Sequence, residues 1–229
     1  KPAGVSLFAD RVGADTLWGG AGDDFLSGGP SGGDLIDGGA GNDIILGGPG
    51  EDLLKGGAGN DTINTGTSQI GDIADGGSGS DFIHCGECAG LAASFIGEAG
   101  NDFIQGGKNA DLKLDGGEGD DWIEGGAGWD IIDGDNGPLL NVLINLPVLF
   151  GGNDVITGGP GQDVMFGDGG DDIFNLGDGP GFPDGTFGFD WANYEYNHRF
   201  DNSLTLRPNV WADLSGALTN PNTARSNDI

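Results

Sequence analysis

The stretch GGAGNDIILGGPGEDLLKGGAGNDTIN, residues 38–64, contains three consecutive copies of a nine-residue unit. Each copy reads Gly-Gly-x-Gly-x-Asp, followed by three residues of which the middle one is apolar. Glycine at positions one, two and four permits positive φ and close backbone approach, so the first six residues predict a turn. The last three residues alternate like a very short strand, and we expect the middle side chain to face inward.

The unit recurs from about residue 10 to residue 175. Further copies open at Gly19, Gly76, Gly116, Gly125 and Gly158; near-matches open at Gly97 and Gly167, and a weaker first copy opens at Asp10. The predicted inward residues are Leu26, Ile45, Leu54, Ile63, Ile83, Ile104, Ile123, Ile132 and Met165. One such strand cannot bury a side chain alone, whereas two units form a coil and stacked coils form two parallel sheets. The predicted fold class is therefore all-β, a parallel β-roll (solenoid) of nonapeptide repeats.

The composition is strongly acidic and rich in glycine. The 229 residues include 51 Gly and only 8 Lys plus Arg, and the formal net charge is −29. Such a composition by itself favours disorder, but a flexible linker has no reason to keep an apolar residue in phase. The charge argues against nucleic acid and against anionic lipid. The small partner that it favours is a hard divalent cation bound by oxygen.

Calcium takes about 6–8 oxygen ligands, and one turn offers only an Asp carboxylate and a few carbonyl groups. Turns in successive coils lie roughly 4.8 Å apart, so two of them can share one ion. On one edge of the roll the candidate ligands are Gly19, Ala21, Asp24, Gly38, Ala40, Asp43, Gly56, Ala58, Asp61, Gly76, Ser78, Asp81, Glu98, Gly100, Asp102, Gly116, Glu118 and Asp121. On the other edge they are Asp15, Asp34, Gly47, Pro49, Asp52, Asp72, Gly125, Ala127 and Asp130; later copies add Asp154, Gly158, Pro160, Asp163 and Asp172.

The two edges differ in regularity. The turns of the first edge keep a standard length, which predicts an unbroken calcium ladder from Asp24 to Asp121. The turns of the second edge carry insertions, and the loop from Cys85 to Ala93 has no Asp at the expected place. We therefore expect calcium to be missing near that loop. The register of Asp111 is left open by the sequence.

In its Gly-Gly-x-Gly-x-Asp turns and apolar strands, the chain resembles the RTX (repeats-in-toxin, hemolysin-type calcium-binding) family. The resemblance implies a right-handed β-roll with multiple bound Ca²⁺ ions. It also implies a secreted bacterial protein, extracellular or at the cell surface, exported by a type I system and folded on meeting extracellular calcium. Residues 176–229 are loosely similar to the spacers between RTX blocks of bacterial secreted haem-peroxidase-like proteins.

The expected domains are a lead-in over residues 1–9, the roll over 10–175 with an apolar insertion at 135–153, and an aromatic C-terminal cap or spacer over 176–229. The insertion holds PLLNVLINLPVLF, residues 138–150, which is too short to span a bilayer and is expected to pack on the roll. The cap aromatics would be Phe187, Phe189, Trp191, Tyr194, Tyr196, Phe200 and Trp211. The first residues do not read as a signal peptide, and residues 226–229 resemble the opening of another repeat, so we expect a piece of a longer chain.

Two further features point to contacts. An outward row of strand residues is mostly apolar, which indicates cover by the chain itself or docking of a partner or a second copy; it comprises Phe25, Ile44, Thr62, Phe82, Phe103 and Trp122. The pair Cys85 and Cys88 fits a redox motif, half a zinc site or a local disulfide. The disulfide is favoured in an oxidising extracellular space.

The sequence contains no catalytic motif of the metalloprotease, nucleophile-elbow or phosphate-loop type, and His84 and His198 stand apart. We predict that this stretch is not an enzyme. Three functions follow: a calcium-driven folding module that supports the secretion and stability of a larger protein, a structural or adhesive assembly element, or a non-catalytic region of a secreted enzyme such as a peroxidase.

Overall fold

A computed structural model describes residues 4–9, 12–67, 71–86, 93–111, 113–128, 130–134, 152–158, 164–169, 172–175, 182–187, 190–193 and 210–213. Strands alternate between two sheets along the chain. Sheet A consists of β1 (Ser6–Phe8), β3 (Phe25–Ser27), β5 (Ile44–Pro49), β7 (Thr62–Thr67), β9 (Phe82–His84), β11 (Phe103–Gln105), β13 (Trp122–Glu124), β15 (Val155–Thr157), β17 (Ile173–Asn175), β19 (Asp190–Asn193) and β20 (Val210–Asp213). Sheet B consists of β2 (Thr16–Ala21), β4 (Leu35–Ala40), β6 (Leu53–Ala58), β8 (Ile73–Ser78), β10 (Ser94–Ala99), β12 (Lys113–Glu118), β14 (Ile131–Asp133), β16 (Val164–Gly169) and β18 (Phe182–Phe187).

The strands within each sheet are parallel, and each pairs with the strand one coil away. Ile45 of β5, for example, lies between Leu26 of β3 and Ile63 of β7 in register. The chain is therefore a parallel β-roll, which confirms the predicted fold class.

The core is a single column of side chains between the sheets. All nine predicted inward residues are fully buried, which confirms the strand phase. Further strands contribute Leu17, Ile36, Ala74, Phe95, Leu114, Ile156 and Phe174. Because each coil supplies only two inward residues, no coil has a core of its own, and its stability depends on stacked neighbours.

Many strands are longer than the three residues that the repeat predicts. In β4, for example, pairing continues through Gly38, Gly39 and Ala40 into the turn. The reason is that the turns of successive coils bond to one another, as where the Gly22 amide donates to the Ala40 carbonyl oxygen at 2.7 Å. Turn and strand therefore form one continuous ladder.

The C-terminal strands extend both sheets. Strand β18 pairs with β16 in sheet B, and β19 and β20 follow β17 in sheet A. Trp191 and Trp211 are register partners on β19 and β20. Phe189, Tyr194, Tyr196 and Phe200 lie outside the described residues, so an aromatic cap and the 175/176 boundary stay predictions.

The predicted outward row lies on the outer face of sheet A. Trp122 is 49% exposed, and its ring centroid is 6.0 Å from that of Phe103, which stacks on Phe82 at 5.0 Å. Sheet B carries a second exposed apolar row that sequence analysis missed, formed by Leu35, Leu53 and Ile73. Both rows arise because the first residue of each strand points away from the core.

The apolar run at residues 138–150 lies outside the described residues, so its packing on the roll stays a prediction. In sequence it falls between β14 of sheet B and β15 of sheet A. Within the part of the chain that the structure describes, no helix is long and apolar enough to span a membrane.

Candidate calcium-binding edges

The aspartates at position six form a hydrogen-bonded ladder along the edge where turns pass from sheet B to sheet A. In each step the backbone amide of one Asp donates to Oδ1 of the Asp one coil later, as from Asp24 to Asp43 at 2.7 Å. The ladder runs through Asp24, Asp43, Asp61, Asp81, Asp102, Asp121, Asp154 and Asp172, with distances from 2.7 to 3.0 Å. It is continuous across the insertion between Asp121 and Asp154.

The opposite edge carries a ladder in two parts. The first part joins Asp15, Asp34, Asp52 and Asp72 at 2.8–2.9 Å, and the second joins Asp111 to Asp130 at 2.9 Å. Between the two parts Ala93 occupies the Asp position, because the Ser94 amide bonds to the Asp72 carbonyl oxygen as its equivalents do elsewhere. Asp111, whose register the sequence left open, is therefore in the ladder. The absence of calcium near Ala93 stays a prediction.

Most of the described turns also bring a backbone carbonyl close to the carboxylate of their aspartate. In the turn at Gly56, a Cβ on the glycine would overlap Asp61 Oδ2. The same Cβ position is 2.5 Å from the carbonyl oxygen of Gly76 in the next coil. The turn at Gly47 repeats this arrangement with Asp52 Oδ2 at 2.5 Å and the Thr65 carbonyl oxygen at 2.6 Å. Glycine is required at position one because any Cβ would fill this oxygen-lined space.

The second carboxylate oxygen of these aspartates is buried without a hydrogen-bond donor. Within the described residues this is true of Oδ2 in Asp15, Asp24, Asp43, Asp52, Asp61, Asp81 and Asp102. A buried anionic oxygen without a partner is costly, and a stack of them is costlier because like charges repel. A hard cation that prefers carboxylate and carbonyl oxygen fits this donor set. No three acidic, His or Cys side chains gather at one point among the residues described, so an ion here would depend on backbone carbonyls.

Burial and neighbouring carboxylates raise the pKa of the ladder aspartates. Burial is the larger cause for Asp61, with the charges of Asp81 and Asp43 adding to it, and together they raise its pKa to about 7. The pKa is likewise raised to about 7 for Asp52, Asp102 and Asp111, to about 6 for Asp81 and Asp130, and above its usual range for Asp34 and Asp43. Without a cation, these carboxyls therefore hold protons at pH values where an ordinary Asp is ionised.

Most of the carbonyl ligands predicted from sequence fall into two groups; Gly19, Ala21 and Ala127 belong to neither and stay predictions. Those at position one face the carboxylate of the preceding coil: Gly38, Gly47, Gly56, Gly76, Gly116, Gly125 and Gly158. Those at position three accept a glycine amide from the turn of the preceding coil: Ala40, Pro49, Ala58, Ser78 and Glu118. In the turn at Gly97, a Cβ on Gly97 would meet Asp102 Oδ2; Glu98 and Gly100 stay predicted ligands. Pro160 and Asp163 lie outside the described residues.

Sequence analysis missed a second polar ladder beside the first. Position five looked unconstrained, but its side chains accept the position-five amide one coil later, from Asp23 to Asn42 at 2.7 Å and from Asn42 to Asn60 at 2.9 Å. The row continues through Ser80, Asn101, Asp120 and Asn153. The available signal was that Asn, Asp or Ser recurs at this position.

Cys85 and its neighbour His84 have different surroundings. Cys85 is buried and disulfide-bonded, in line with the favoured interpretation, and Cys88, the other cysteine in the sequence, lies outside the described residues. His84 is half-buried beside the Phe82 ring at 5.0 Å, and burial lowers its pKa.

Comparison with known families identifies the repeat. The RTX calcium-binding nonapeptide repeat (4 copies) matches residues 10–30, 31–66, 94–112, 113–138 and 150–182, more than half of the chain. The chain belongs to the RTX family. The family binds calcium in its repeats, which agrees with the oxygen-lined turns described above. A comparison with curated proteins found no match.

The RTX roll is longer than the matched segments. Residues 67–93 lie in a gap between matches, yet β8 and β9 continue both sheets there in register. Inserted loops hide the repeat from a comparison of sequences, whereas the coil geometry persists.

We expect the calcium-free RTX roll to be more stable in acid than in base. A folded-state pKa raised from 3.8 to about 7, as at Asp61, gives stability that is complete below about pH 4 and is lost as the pH rises through 7. Dialysed, calcium-free protein should therefore melt at least about 5 °C higher at pH 5 than at pH 6.5, and it should have little strand signal left at pH 8. Circular dichroism melts would show this. The difference should survive 0.5 M salt, which screens surface repulsion but not buried carboxyls; a melting point that rises with pH would contradict it.

The gap at Ala93 offers a gain-of-function test. Ala93→Asp places a carboxylate between Asp72 and Asp111, so we expect at least one more bound Ca²⁺ by calorimetric titration and lower stability without calcium, because the new charge is buried. Ser94→Asp adds the same charge one residue later on the outer face and is the matched control. Equal calcium counts for the two variants would show that position 93 has no place in a calcium ladder.

Proposed function

We propose that this RTX roll is a calcium-dependent folding module whose two edges hold Ca²⁺ between successive coils. The supporting observation is the row of buried Asp Oδ2 atoms without donors, of which those of Asp24, Asp43, Asp52, Asp61 and Asp102 lie near a carbonyl oxygen of the next coil. The ligands proposed are the position-six aspartates and the carbonyls at positions one and three. Because neighbouring coils share each ion, binding of several ions is coupled to folding of the whole stack.

A calcium titration followed by far-ultraviolet circular dichroism tests this proposal. The calcium-free protein at pH 8 should have little strand signal, and the signal should appear cooperatively as Ca²⁺ is added and disappear with excess chelator. Mg²⁺ at equal concentration is the control, because its strict octahedral geometry suits dedicated protein cages poorly. Equal strand signal with and without calcium would refute the proposal.

The wider role that we infer is support for secretion and stability of a larger secreted bacterial protein. RTX repeat proteins are typically secreted by bacteria, and outside the cell calcium would complete the fold after export. In this proposal the roll spans residues 10–175, residues 176–229 form a cap or spacer, and catalytic activity belongs to other parts of the protein. RTX rolls are structural calcium-binding domains, in line with this division.

A second candidate function is assembly through the outer face of sheet A. The row from Phe25 to Trp122 is largely apolar, and Glu124 is the only carboxylate among the residues of β1, β3, β5, β7, β9, β11 and β13. Depletion of charge beside aromatic residues is typical of protein interfaces. Light scattering of the calcium-loaded protein tests this role: a particle larger than a monomer that Trp122→Lys returns to monomer supports assembly, and a monomer at all concentrations excludes it.

A further inference from the structure

We propose that the N-terminal end of the roll binds a further coil of the same repeat type, in parallel register with β1 and β2. The end is an open groove of about 520 Å³ lined by Leu7, Phe8, Ala9, Asp15, Thr16, Leu17 and Trp18. Phe8 and Trp18 on its two sides are both 65% exposed. Large apolar side chains exposed together at a sheet edge mark a surface that another segment covers.

The backbone at this end presents unpaired hydrogen-bonding groups. Among the strands that the structure describes, β1 pairs only with β3, and β2 only with β4. The Val5 carbonyl and the Ala9 amide bond toward the second coil, at 2.8 Å each. Along a parallel strand, the backbone N–H and C=O groups of successive residues point to opposite sides, so those of Ser6 and Phe8 point to the open edge. In β2 the Asp15 carbonyl accepts the Leu35 amide, so by the same alternation the backbone groups of Thr16 and Trp18 point to the open edge.

The two-part aspartate ladder on the opposite edge begins at this end with Asp15, whose Oδ1 is free, in the part of the chain that the structure describes, to accept an amide. In the following coils Oδ1 accepts an amide from the coil before, as Asp34 does from Asp15 at 2.8 Å. Among the described residues nothing donates to Asp15, and its Oδ2 is buried without a donor. The end therefore offers an incoming coil the same ladder acceptor, strand edges and apolar floor that each coil offers its neighbour.

These features select a coil rather than a second copy of the same end. Two copies meeting edge to edge about a twofold axis would pair their strands antiparallel. Every pair in both sheets is parallel, and the Asp ladder requires the amide of a position-six residue to arrive in that register. An incoming segment with glycine at positions one and two, Asp at position six and an apolar strand centre meets all of these requirements. The inference does not depend on which residues hold calcium.

The experiment adds one coil to the full chain. A copy of residues 38–55 is placed ahead of residue 1, and hydrogen exchange is followed residue by residue in calcium. The control carries the same eighteen residues with their order scrambled, so that the apolar residues lose their phase. We expect exchange at the amides of Ser6, Phe8, Thr16 and Trp18 to slow at least tenfold with the copied coil and to stay unchanged with the scrambled one.

The outcomes separate the alternatives. Unchanged exchange at these four amides in the extended protein, with circular dichroism showing a folded roll, would overturn the proposal. Protection in the parent chain that grows with protein concentration would also overturn it, because the occupant would then be a second copy. A synthetic peptide of residues 38–55 that protects the same amides in trans, when its scrambled version does not, would support it independently. If the strand signal proves independent of calcium, the calcium proposal fails, but the roll is still folded and the exchange experiment can still be made. The two proposals can therefore fail separately.

Discussion

Asp61→Asn is expected to destabilise the calcium-loaded roll and to stabilise the calcium-free one. Asp61 Oδ1 accepts the Asp43 amide at 2.7 Å, and asparagine can keep that bond. Asparagine replaces Oδ2, which is buried without a donor, by an NH₂ group facing the Gly76 carbonyl oxygen. With calcium the variant loses a charged ligand, at a cost of about 3 kcal/mol, since loss of a metal ligand is among the large mutational effects.

Without calcium at pH 8 the sign reverses. Folding must then either ionise Asp61 in a buried position or hold it protonated against a pKa of about 7, and Asn removes that penalty, a gain of about 1–3 kcal/mol. Urea unfolding in calcium measures the first effect. Circular dichroism of the calcium-free protein between pH 5 and pH 8 measures the second, because the variant should keep its strand signal to a higher pH than the parent. Asp120→Asn is the matched control, because Asp120 is an exposed position-five residue whose oxygen accepts the Asn153 amide at 2.8 Å. A loss of stability in both conditions would show that Asp61 has only a structural role.

Gly39→Ala is expected to cost far more stability than Gly20→Ala. Both glycines occupy position two, in successive turns of one edge, with φ of 104° and 99°. A Cβ at Gly20 meets no atom within 4 Å, whereas one at Gly39 would overlap the Gly20 carbonyl oxygen of the coil before. Gly20→Ala therefore carries only the cost of a positive φ, about 1–2 kcal/mol. Gly39→Ala must also push two coils apart, for a total of about 3 kcal/mol or more.

The two glycine variants isolate the cost of coil stacking because their backbone strain is the same. Urea unfolding in saturating calcium gives both values, and calcium titration shows whether Gly39→Ala also weakens binding, as expected if the coils separate. Similar losses for the two variants would mean that backbone strain, rather than the approach between coils, explains the requirement for glycine.

The regular edge could be predicted closely because its repeat is strict. Asp24 to Asp121 follow one another at nearly constant spacing, so phase alone placed them in one ladder. The register of Asp111 could not be read from the sequence, because the irregular stretch GGKNADLKLD, residues 106–115, contains both Asp111 and Asp115. The structure places Asp111 in the ladder, bonded to Asp130, and Asp115 on the strand, paired with Lys113. Repeat positions cannot be counted through a loop of altered length, so the position of Asp111 could be assigned only from backbone pairing.

By itself, the sequence determined the period, the inward column and the aspartates that stack, because a nine-residue unit with glycine at fixed positions permits one turn and one strand phase. Tertiary structure decided which groups meet across coils. It set the carbonyl of Gly76 against the carboxylate of Asp61, placed Ala93 in a ladder position and aligned the position-five side chains. These contacts join residues about twenty positions apart, and their geometry depends on how coils stack rather than on any single repeat.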